Sequence, residues 1–434
     1  MIAAKRLFYL LWGWLAAGVA AAVWPMLVPV WAGLGVLLLV IAGADLFKVT
    51  RRPGISVVRS VSGSLALGVW SEVRLRLQQA AGSPVVLEIF DHFPPHTEVR
   101  GMPMQTHIPA GGWTEISYEI RPTERGELCF AATRLLILSA WGLWRRVQQA
   151  GADECVKVYP NFAAVTRYAL LATDNRLSRM GIRLRQRRGE GLEFHQLREY
   201  RTGDMLRQID WKATSRLKKI TSREYQDERD QQVVFMIDCG RRMHAKDGEL
   251  SHFDHALNAV LLLAYVALRQ GDTVGLMAFG GRPCYLPPRK GANVINSLLD
   301  SVYDLQASTR SPDFLQAATD LMKRLKKRSL VVLVTNLRDE DNAELLPALH
   351  LMRQRHLVLL ASLQERVIND VLSEPVKNFD DALRNSATHS YLADRRRAHD
   401  AIKANGVLTV DVEPEKLPVA LVNRYLDIKR SGRL

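Results

Sequence analysis

The hydrophobic pattern of the chain begins with an uncharged apolar run from Leu7 to Ala44. As a single helix this run would be about 57 Å long, almost twice the roughly 30 Å thickness of a hydrocarbon core. Two spans joined by a turn at Trp24-Pro25, or near Pro29, fit that thickness better. The pattern therefore predicts a two-helix transmembrane hairpin over residues 1–53.

Basic residues flank the apolar run on both sides, whereas the turn carries no charge. By the positive-inside rule, both ends of the hairpin are expected to face the cytoplasm, together with the rest of the chain. A cleaved signal peptide ending near Ala20–Ala22 is the alternative for the first span, and it leaves the second span in place. The flanking bases are Lys5, Arg6, Lys48, Arg51 and Arg52.

Residues 54–160 change to short alternating runs separated by glycine and proline. In one of these runs Val73, Leu75 and Leu77 fall on one face, with basic residues on the other. Short strands bounded by turns predict an antiparallel β-sandwich. The candidate strands are Val69–Leu77, Val85–Phe90, Trp113–Ile120, Glu127–Thr133 and Val156–Tyr159.

Residues 232–365 alternate between buried-type strands and helices, which predicts a doubly wound α/β sheet. Ligands of such sheets bind at the carboxyl ends of the strands. Residues 366–434 are predicted to extend the sheet, with Asn369–His389 partly loop. The candidate strands are Val233–Asp238, Thr273–Phe279, Leu330–Thr335, Leu357–Ser362 and Leu408–Val412, and the candidate helices are Phe253–Arg269, Val294–Leu305, Pro312–Lys326, Ala343–Arg355, Leu392–Asn405 and Leu417–Lys429.

Residues 161–231 form a basic connector between these two regions. Arg176–Arg223 carries 14 Lys and Arg against 5 Asp and Glu, and so holds much of the formal net charge of +14. Anionic lipid, an acidic protein and nucleic acid all suit such an excess, although aromatic residues for base stacking are sparse. Acids alternate with bases around Trp211, which indicates an ionic network or a partner-binding edge.

The cysteines and the missing nucleotide motifs limit the chemistry of the chain. Cys129, Cys155, Cys239 and Cys284 have neither C-x-x-C nor metal-ligand spacing, which fits a reducing compartment better than a disulfide framework. The sequence contains neither a G-x-x-x-x-G-K-[ST] phosphate loop nor a G-x-S-x-G elbow. We therefore expect a non-enzymatic protein without a cofactor.

The segment Glu193–Arg216 reads E-F-x-x-L-R-E-Y-x-x-G-D-x-x-R-x-I-D-W-K-A-T-S-R. With Arg223-Glu224, this segment resembles the domain-of-unknown-function 58 family of bacterial membrane proteins. The resemblance extends to Arg125-Gly126, Trp141–Leu143, Gly271–Gly275 and Tyr425–Lys429, and so covers nearly the whole chain. The signature residues are Glu193, Arg198, Tyr200, Gly203, Asp204, Arg207, Asp210, Trp211, Arg216 and Glu224.

The resemblance implies a bacterial inner-membrane protein whose α/β domain is similar to a von Willebrand factor A domain. Such domains bind a divalent cation through D-x-S-x-S after the first strand, a threonine from a second loop and a later aspartate. Here Asp238 is kept, Gly240 and Arg242 stand where the serines are expected, and Asn336 stands at the second aspartate. The loop hydroxyl is expected from Thr309, or from Ser308 or Ser311 nearby. The lost oxygen ligands disfavour Mg²⁺.

We expect this degenerate metal-ion-dependent adhesion site to bind a partner protein rather than a metal or a small molecule. Family members are often encoded beside a MoxR-type AAA+ ATPase, which is the expected cytoplasmic partner in a chaperone or assembly role. The alternative is a nucleic-acid- or anionic-lipid-binding membrane protein that uses Arg176–Arg223; a metal-dependent enzyme is a third. The rim residues are Asp238, Gly240, Arg241, Arg242, Thr309 and Asn336.

Overall fold

The computed structural model describes residues 1–161, 193–201, 206–226, 231–338 and 342–433. They divide into two compact units, Met1–Tyr159 and Pro160–Leu434. Gly203, Asp204 and most of the basic run that begins at Arg176 lie outside the described residues. The side chains of Glu193, Arg207 and Glu224 also lie outside the description.

Two apolar helices begin the first unit, α1 (Lys5–Val23) and α2 (Val28–Thr50). A short 3-10 turn at Pro25–Leu27 joins them. Both helices are long and apolar enough to cross a membrane, and little of either is buried inside the protein. The predicted pair of helices and its turn at Trp24-Pro25 are confirmed.

Two tryptophans and two glycines hold α1 against α2. The Trp14 and Trp31 rings stack with centroids 4.9 Å apart. Each indole Nε1 donates to the backbone oxygen of the other tryptophan, over 3.1 and 3.2 Å. A Cβ at Gly18 or Gly35 would lie 2.9 Å from the facing indole, so a larger residue at either position would push the rings away.

Short strands form the rest of the first unit, in a five-stranded, a four-stranded and a three-stranded sheet. All pairings are antiparallel except the one between β3 and β12 of the set below, which fits the predicted sandwich. The candidate strand Glu127–Thr133 matches β9 from Glu127 to Phe130, but its end is wrong because it runs on to the first residue of β10. The strands are β1 (Ile2–Ala3), β2 (Ser56–Ser60), β3 (Ser64–Ala66), β4 (Ser71–Gln78), β5 (Val85–Phe90), β6 (Thr97–Arg100), β7 (Met104–Ile108), β8 (Trp113–Pro122), β9 (Gly126–Phe130), β10 (Thr133–Leu138), β11 (Trp144–Ala150) and β12 (Glu154–Tyr159).

Side-chain alternation in β4 follows the sequence prediction. Val73, Leu75 and Leu77 are fully buried, whereas Arg74 and Arg76 on the opposite face are exposed. A strand with period-two alternation buries one face of a sheet and leaves the other in water.

Cys129 and Cys155 form a disulfide, which the cysteine spacing did not predict. The two residues are directly opposite each other in the antiparallel pair β9 and β12, and both are exposed. The expectation of free cysteines is therefore wrong for this pair. Strand pairing, and not sequence spacing, brings the two sulfurs together.

Asp45, near the end of α2, joins the hairpin to the sandwich. This carboxylate is fully buried. It accepts hydrogen bonds from Ser139 Oγ at 2.5 Å and from the backbone amides of Trp141 and Leu143 at 3.2 and 3.3 Å. The hairpin end is thus held by specific polar contacts, since a buried carboxylate is costly without such donors.

The connector forms a small β-hairpin with a helix between its strands. Strands β13 (Glu193–Glu199) and β14 (Thr221–Gln226) pair antiparallel, and α3 (Trp211–Leu217) lies in the loop. Asp210 accepts from the backbone amides of Lys212 and Ala213 and pairs with Arg223 at 2.8 Å. This carboxylate thus both caps the helix and takes part in the expected ionic network through its pair with Arg223.

The second unit contains a six-stranded sheet with helices on both faces. Val233, Phe235 and Ile237 of its central strand point into one apolar cluster, and Val234 and Met236 point into the other. The elements are β15 (Gln232–Asp238), β16 (Lys246–Asp247), β17 (Leu250–Ser251), α4 (His252–Arg269), β18 (Thr273–Phe279), β19 (Cys284–Arg289), α5 (Asn293–Val302), α6 (Phe314–Arg324), β20 (Leu330–Thr335), α7 (Asn342–Arg353), β21 (Leu357–Leu363), α8 (Arg366–Ser373), α9 (Phe379–Ala404), β22 (Leu408–Val412) and α10 (Leu417–Arg430).

The strand order in this sheet is β19-β18-β15-β20-β21-β22. All neighbours run parallel except β19, an antiparallel edge strand that the sequence pattern missed. Asn369–His389 is partly loop, as expected, but only at 374–378, because α8 and α9 occupy the rest. The first half of α9 is exposed and so lacks the apolar stripe by which helices are recognised.

Candidate functional site

Asp238 lies at the carboxyl end of β15, between β18 and β20, where the strand order changes direction. This is the position at which open α/β sheets bind ligands. The carboxylate is buried, and both of its oxygens accept hydrogen bonds from neutral donors. The amide of Gly240 donates to Oδ1 and the hydroxyl of Thr335 donates to Oδ2, each over 2.7 Å.

Burial raises the pKa of Asp238 above the ordinary aspartate value. The hydrogen bonds from Thr335 and Gly240 and the positive charge of Arg242 oppose this shift without cancelling it. A carboxyl group with a raised pKa at the carboxyl ends of parallel strands is typical of functional positions.

The backbone around Gly240 closes over this carboxylate. A Cβ at Gly240 would lie 2.6 Å from Pro312 Cδ and 2.9 Å from Asp238 Oδ1. Gly280, with φ at +79°, approaches from the other side, where a Cβ would lie 3.2 Å from the same oxygen. Because a serine side chain has no room here, the residues present do not fit the cation site of von Willebrand A domains.

The second loop lies directly against the Asp238 loop. The Ser308 amide donates to the Cys239 carbonyl over 2.6 Å, and the Arg241 amide donates to the Arg310 carbonyl over 2.9 Å. These contacts bring Thr309 and Arg241 to the same rim, where both side chains are exposed. The structure therefore brings four of the predicted rim residues together around Asp238: Gly240, Arg241, the half-buried Arg242 and Thr309.

Asn336 belongs to a separate polar network beside this rim. Its Nδ2 donates to Glu365 Oε1 at 2.9 Å and lies 3.3 Å from His252 Nδ1. His252 Nε2 in turn contacts Asp247 Oδ2 at 2.8 Å, and the Tyr391 hydroxyl lies 3.3 Å from Glu365 Oε2. Asn336 therefore connects Glu365 and His252 through its amide nitrogen, and that nitrogen faces Glu365.

The charge on Glu365 is favoured in this network. Burial by itself raises the pKa of Glu365, but the hydrogen bond from Asn336 and the charges of Arg395 and Arg338 lower it below the ordinary value. Sequence reasoning missed Glu365, His252 and Asp247. Glu365 follows β21 closely, so the carboxyl-end rule could have found it.

The family-signature residues that the structure describes lie in the β13–α3–β14 hairpin. Asp210 caps α3, Trp211 and Arg216 are exposed on it, and the Tyr200 amide donates to the Ile220 carbonyl over 2.9 Å. Arg198 Nη1 donates to the Glu199 carbonyl over 3.2 Å. These contacts make the signature a local structural unit that presents Trp211.

We expect Asp238→Asn to raise the free energy of unfolding at neutral pH, because burial raises the pKa of Asp238 and so makes its ionised form costly in the folded protein. Asparagine can still accept from the Gly240 amide. A raised folded-state pKa contributes stability below the ordinary carboxyl pKa, and this contribution is lost as pH rises through the raised value. The advantage of Asp238→Asn should therefore grow from about pH 4 to pH 8.

Urea unfolding of the full chain over this pH range measures the effect. The exposed Asp400→Asn is the matched control and should show no such pH-dependent gain. Equal destabilisation by Asp238→Asn at every pH would contradict the raised pKa.

A family model described as "Protein of unknown function DUF58" matches residues 196–381. The matched region runs from β13 into α9. Uncharacterized protein Rv1480 of Mycobacterium tuberculosis is 23% identical over 262 residues, which are 57% of this chain and 82% of that protein. Uncharacterized protein YeaD of Bacillus subtilis is 21% identical over 239 residues, 52% of this chain and 54% of that protein. The family resemblance is confirmed for this region.

Solved structures overlap a quarter of the chain. The CARDB domain of the PF1109 protein from Pyrococcus furiosus gives a TM-score of 0.18 at 10% identity, over 25% of this chain and 90% of that chain. Native alpha-2-macroglobulin from Escherichia coli gives 0.21 at 15% identity, over 25% of this chain and 17% of that chain. Scores of this size give no basis for transferring fold or function.

Proposed function

We propose that this chain, which carries the DUF58 family region at residues 196–381, is a non-enzymatic, membrane-anchored protein-binding module. Its α/β domain is of the von Willebrand factor A type and presents the carboxyl edge of the sheet to a cytoplasmic partner. A MoxR-like AAA+ ATPase is the partner that the family resemblance suggests, with the chain as its membrane-bound adaptor.

The strand order supports the assignment of the α/β domain. Counted along the chain within this sheet, the order is 3-2-1-4-5-6, with the third strand antiparallel. This is the order of the doubly wound nucleotide-binding sheets, whose ligands lie where the order reverses. Asp238 lies at that reversal.

The close packing of Gly240, Gly280 and Pro312 around the Asp238 carboxylate is the observation that carries the proposal. Pro312 occupies the space that a side chain at Gly240, the position of the first expected serine, would need. The exposed rim then offers the guanidinium of Arg241 and the Thr309 hydroxyl, from two loops in backbone contact. A guanidinium at a rim suits a carboxylate on a protein partner, which it can bind through two parallel hydrogen bonds.

The proposed topology has both helices of the hairpin across the membrane and both soluble units in the cytoplasm. The bases at the two ends of the hairpin, against an uncharged turn, support it. It requires Cys129 and Cys155 to be thiols in the cell, because cytoplasmic reductants keep most thiols reduced. Both cysteines are exposed, so reductants can reach their disulfide.

We expect the full-length protein in nanodiscs to bind a MoxR-like AAA+ ATPase, and Arg241→Glu to weaken that binding at least about tenfold by placing like charge against an acidic partner. Affinity is measured with and without ATP. Lys326→Glu is the matched control, since this exposed base precedes β20 at the opposite edge of the sheet.

Absence of binding both with and without ATP would contradict the proposed partner. Equal affinities of Arg241→Glu and the unmodified protein would contradict the proposed binding surface at the carboxyl edge of the sheet. Alkylation of both cysteines in intact cells, without added reductant, is expected for cytoplasmic units, and a disulfide under the same trapping would overturn that orientation.

A further inference from the structure

The β13–α3–β14 hairpin exposes a group of large apolar side chains. Scattered exposed apolar residues are ordinary, but several in one short segment mark an interaction surface. We name the described residues 193–201 and 206–226 the α3 module. Its exposed apolar residues, with their exposed fractions, are Leu197 (43%), Leu206 (74%), Trp211 (69%), Leu217 (57%) and Ile220 (51%).

Basic side chains lie among these apolar residues. The segment Trp211–Ile220 reads W-K-A-T-S-R-L-K-K-I, with four bases and no acid. Lys212 and Arg216 are one helical turn apart on α3, and both are exposed. Helical residues four apart lie on the same side, so the two charges act on the same surface.

The module holds this segment in place through contacts of its own. Asp210 caps α3 and pairs with Arg223 of β14, while Lys219 pairs with Glu199 of β13 at 2.8 Å. The amides of Ala213 and Lys212 and the Arg223 charge also lower the pKa of Asp210, so this cap stays ionised well into the acidic range. A seven-residue helix is marginal alone, and these contacts make Trp211 part of an ordered surface.

We propose that the α3 module lies on the anionic surface of the membrane that holds the chain's own hairpin. Trp211 and its aliphatic neighbours enter the headgroup region, and Lys212 and Arg216 contact lipid phosphates. Tryptophan is enriched at this depth of a bilayer because its ring is apolar and its N–H is polar. Basic side chains near such a surface are attracted by its anionic lipids.

The membrane is a better match to this surface than nucleic acid. Two apolar helices precede the module in the same chain, so a lipid surface is present at high effective concentration. Single-stranded nucleic acid needs several aromatic platforms for its bases. Trp211 is the one exposed aromatic residue among the module side chains that the structure describes.

Hydrogen exchange of the full-length protein in nanodiscs tests the proposal, with phosphatidylcholine alone or mixed with phosphatidylglycerol. Peptides covering residues 206–220 should exchange about 25-fold more slowly in the anionic nanodiscs, because Lys212 and Arg216 each strengthen the attraction about fivefold. Lys212→Glu with Arg216→Glu should remove this difference. The zwitterionic nanodiscs report whether each variant is still folded.

Two further variants separate the contributions. Trp211→Ser with Leu217→Ser keeps every charge and should lose most of the protection if apolar insertion is part of the contact. Arg396→Glu with Lys403→Glu reverses two exposed bases of α9 and should leave the protection unchanged.

Equal exchange in both lipids would overturn the proposal, and so would protection that survives the charge reversal. Protection by an added single-stranded oligonucleotide, but not by anionic lipid, would assign the module to nucleic acid instead. The proposed ATPase face is tested by Arg241→Glu, a variant outside this module, so the two proposals fail independently.

Discussion

Replacing Asp272 by alanine is expected to cost about 3–5 kcal/mol of the free energy of unfolding of the Pro160–Leu434 unit, because it leaves a buried charge without a partner. Asp272 is fully buried in the turn before β18. It accepts two hydrogen bonds from Lys429 Nζ at 2.8 and 2.9 Å and one from the Tyr425 hydroxyl. Burial and the Asp272 charge raise the pKa of Tyr425, so its hydroxyl remains a donor.

The loss should appear first in α10, which carries both partners. Urea unfolding of the full chain and hydrogen exchange of residues 417–430 measure it. Asp272→Asn keeps an acceptor and should cost less, and joining Asp272→Ala to Lys429→Met and Tyr425→Phe should restore part of the stability, since well-packed apolar groups can replace a buried ion pair. A cost below about 1 kcal/mol for Asp272→Ala would show that the pair is weak.

This contact explains two sequence motifs that are far apart in the chain. Gly271–Gly275 lies inside the matched family region and Tyr425–Lys429 lies beyond its end at residue 381, and neither contains a catalytic grouping. In the folded unit Asp272 from the first motif meets Tyr425 and Lys429 from the second. A single sequence shows that such residues are unusual, but not that they are partners, because the pairing depends on how α10 packs.

Local patterns account for the parts of the fold that could be predicted. The uncharged run from Leu7 to Ala44 is too long for one span of a bilayer and long enough for two, so its length predicted both helices of the hairpin. Val85–Phe90, Thr273–Phe279 and Leu330–Thr335 match observed strands at both ends, because each is an apolar run bounded by turn residues. Periodicity and breakers act over a few residues, so the sequence displays them directly.

Contacts between distant residues account for what could not be predicted. Cys129 meets Cys155 only when β9 pairs with β12, and Asp45 needs the loop around Ser139. Asn336 was expected at the rim around Asp238, but its amide binds Glu365. Each of these depends on packing that no single segment encodes.

The buried carboxylates of this chain differ in their hydrogen-bond donors. Asp91 and Asp272 each contact a cation directly. Asp238 instead accepts from a backbone amide and a hydroxyl, and burial raises its pKa. Asp45 also accepts from a hydroxyl and backbone amides while it supports the fold, so neutral donors alone do not mark a binding site. What makes Asp238 a candidate is its place at the carboxyl ends of the strands, where open α/β sheets bind ligands.

Asp91→Ala is expected to destabilise the sandwich by a similar amount, about 3–5 kcal/mol. Its carboxylate is fully buried and accepts from Arg59 Nη2 at 2.6 Å, Arg59 Nε at 3.0 Å, the Tyr118 hydroxyl at 2.6 Å and Thr133 Oγ1 at 2.8 Å. The alanine variant leaves the Arg59 guanidinium buried over the Phe130 ring with neither carboxylate oxygen to bind. Four donors lose one acceptor group at once.

Urea unfolding of the full chain, followed by hydrogen exchange in β4 and β8, resolves this effect from changes in the other unit. Asp91→Asn should recover part of the loss, because its amide oxygen still accepts from Tyr118 or Thr133. Arg74→Ala removes the exposed pair with Glu72 and should change little, which provides the matched surface control. If Asp91→Ala were no more damaging than Arg74→Ala, the Arg59–Asp91 pair would not be what fixes β2 to the loop after β5, and that role would pass to the apolar core around Leu75 and Ile89.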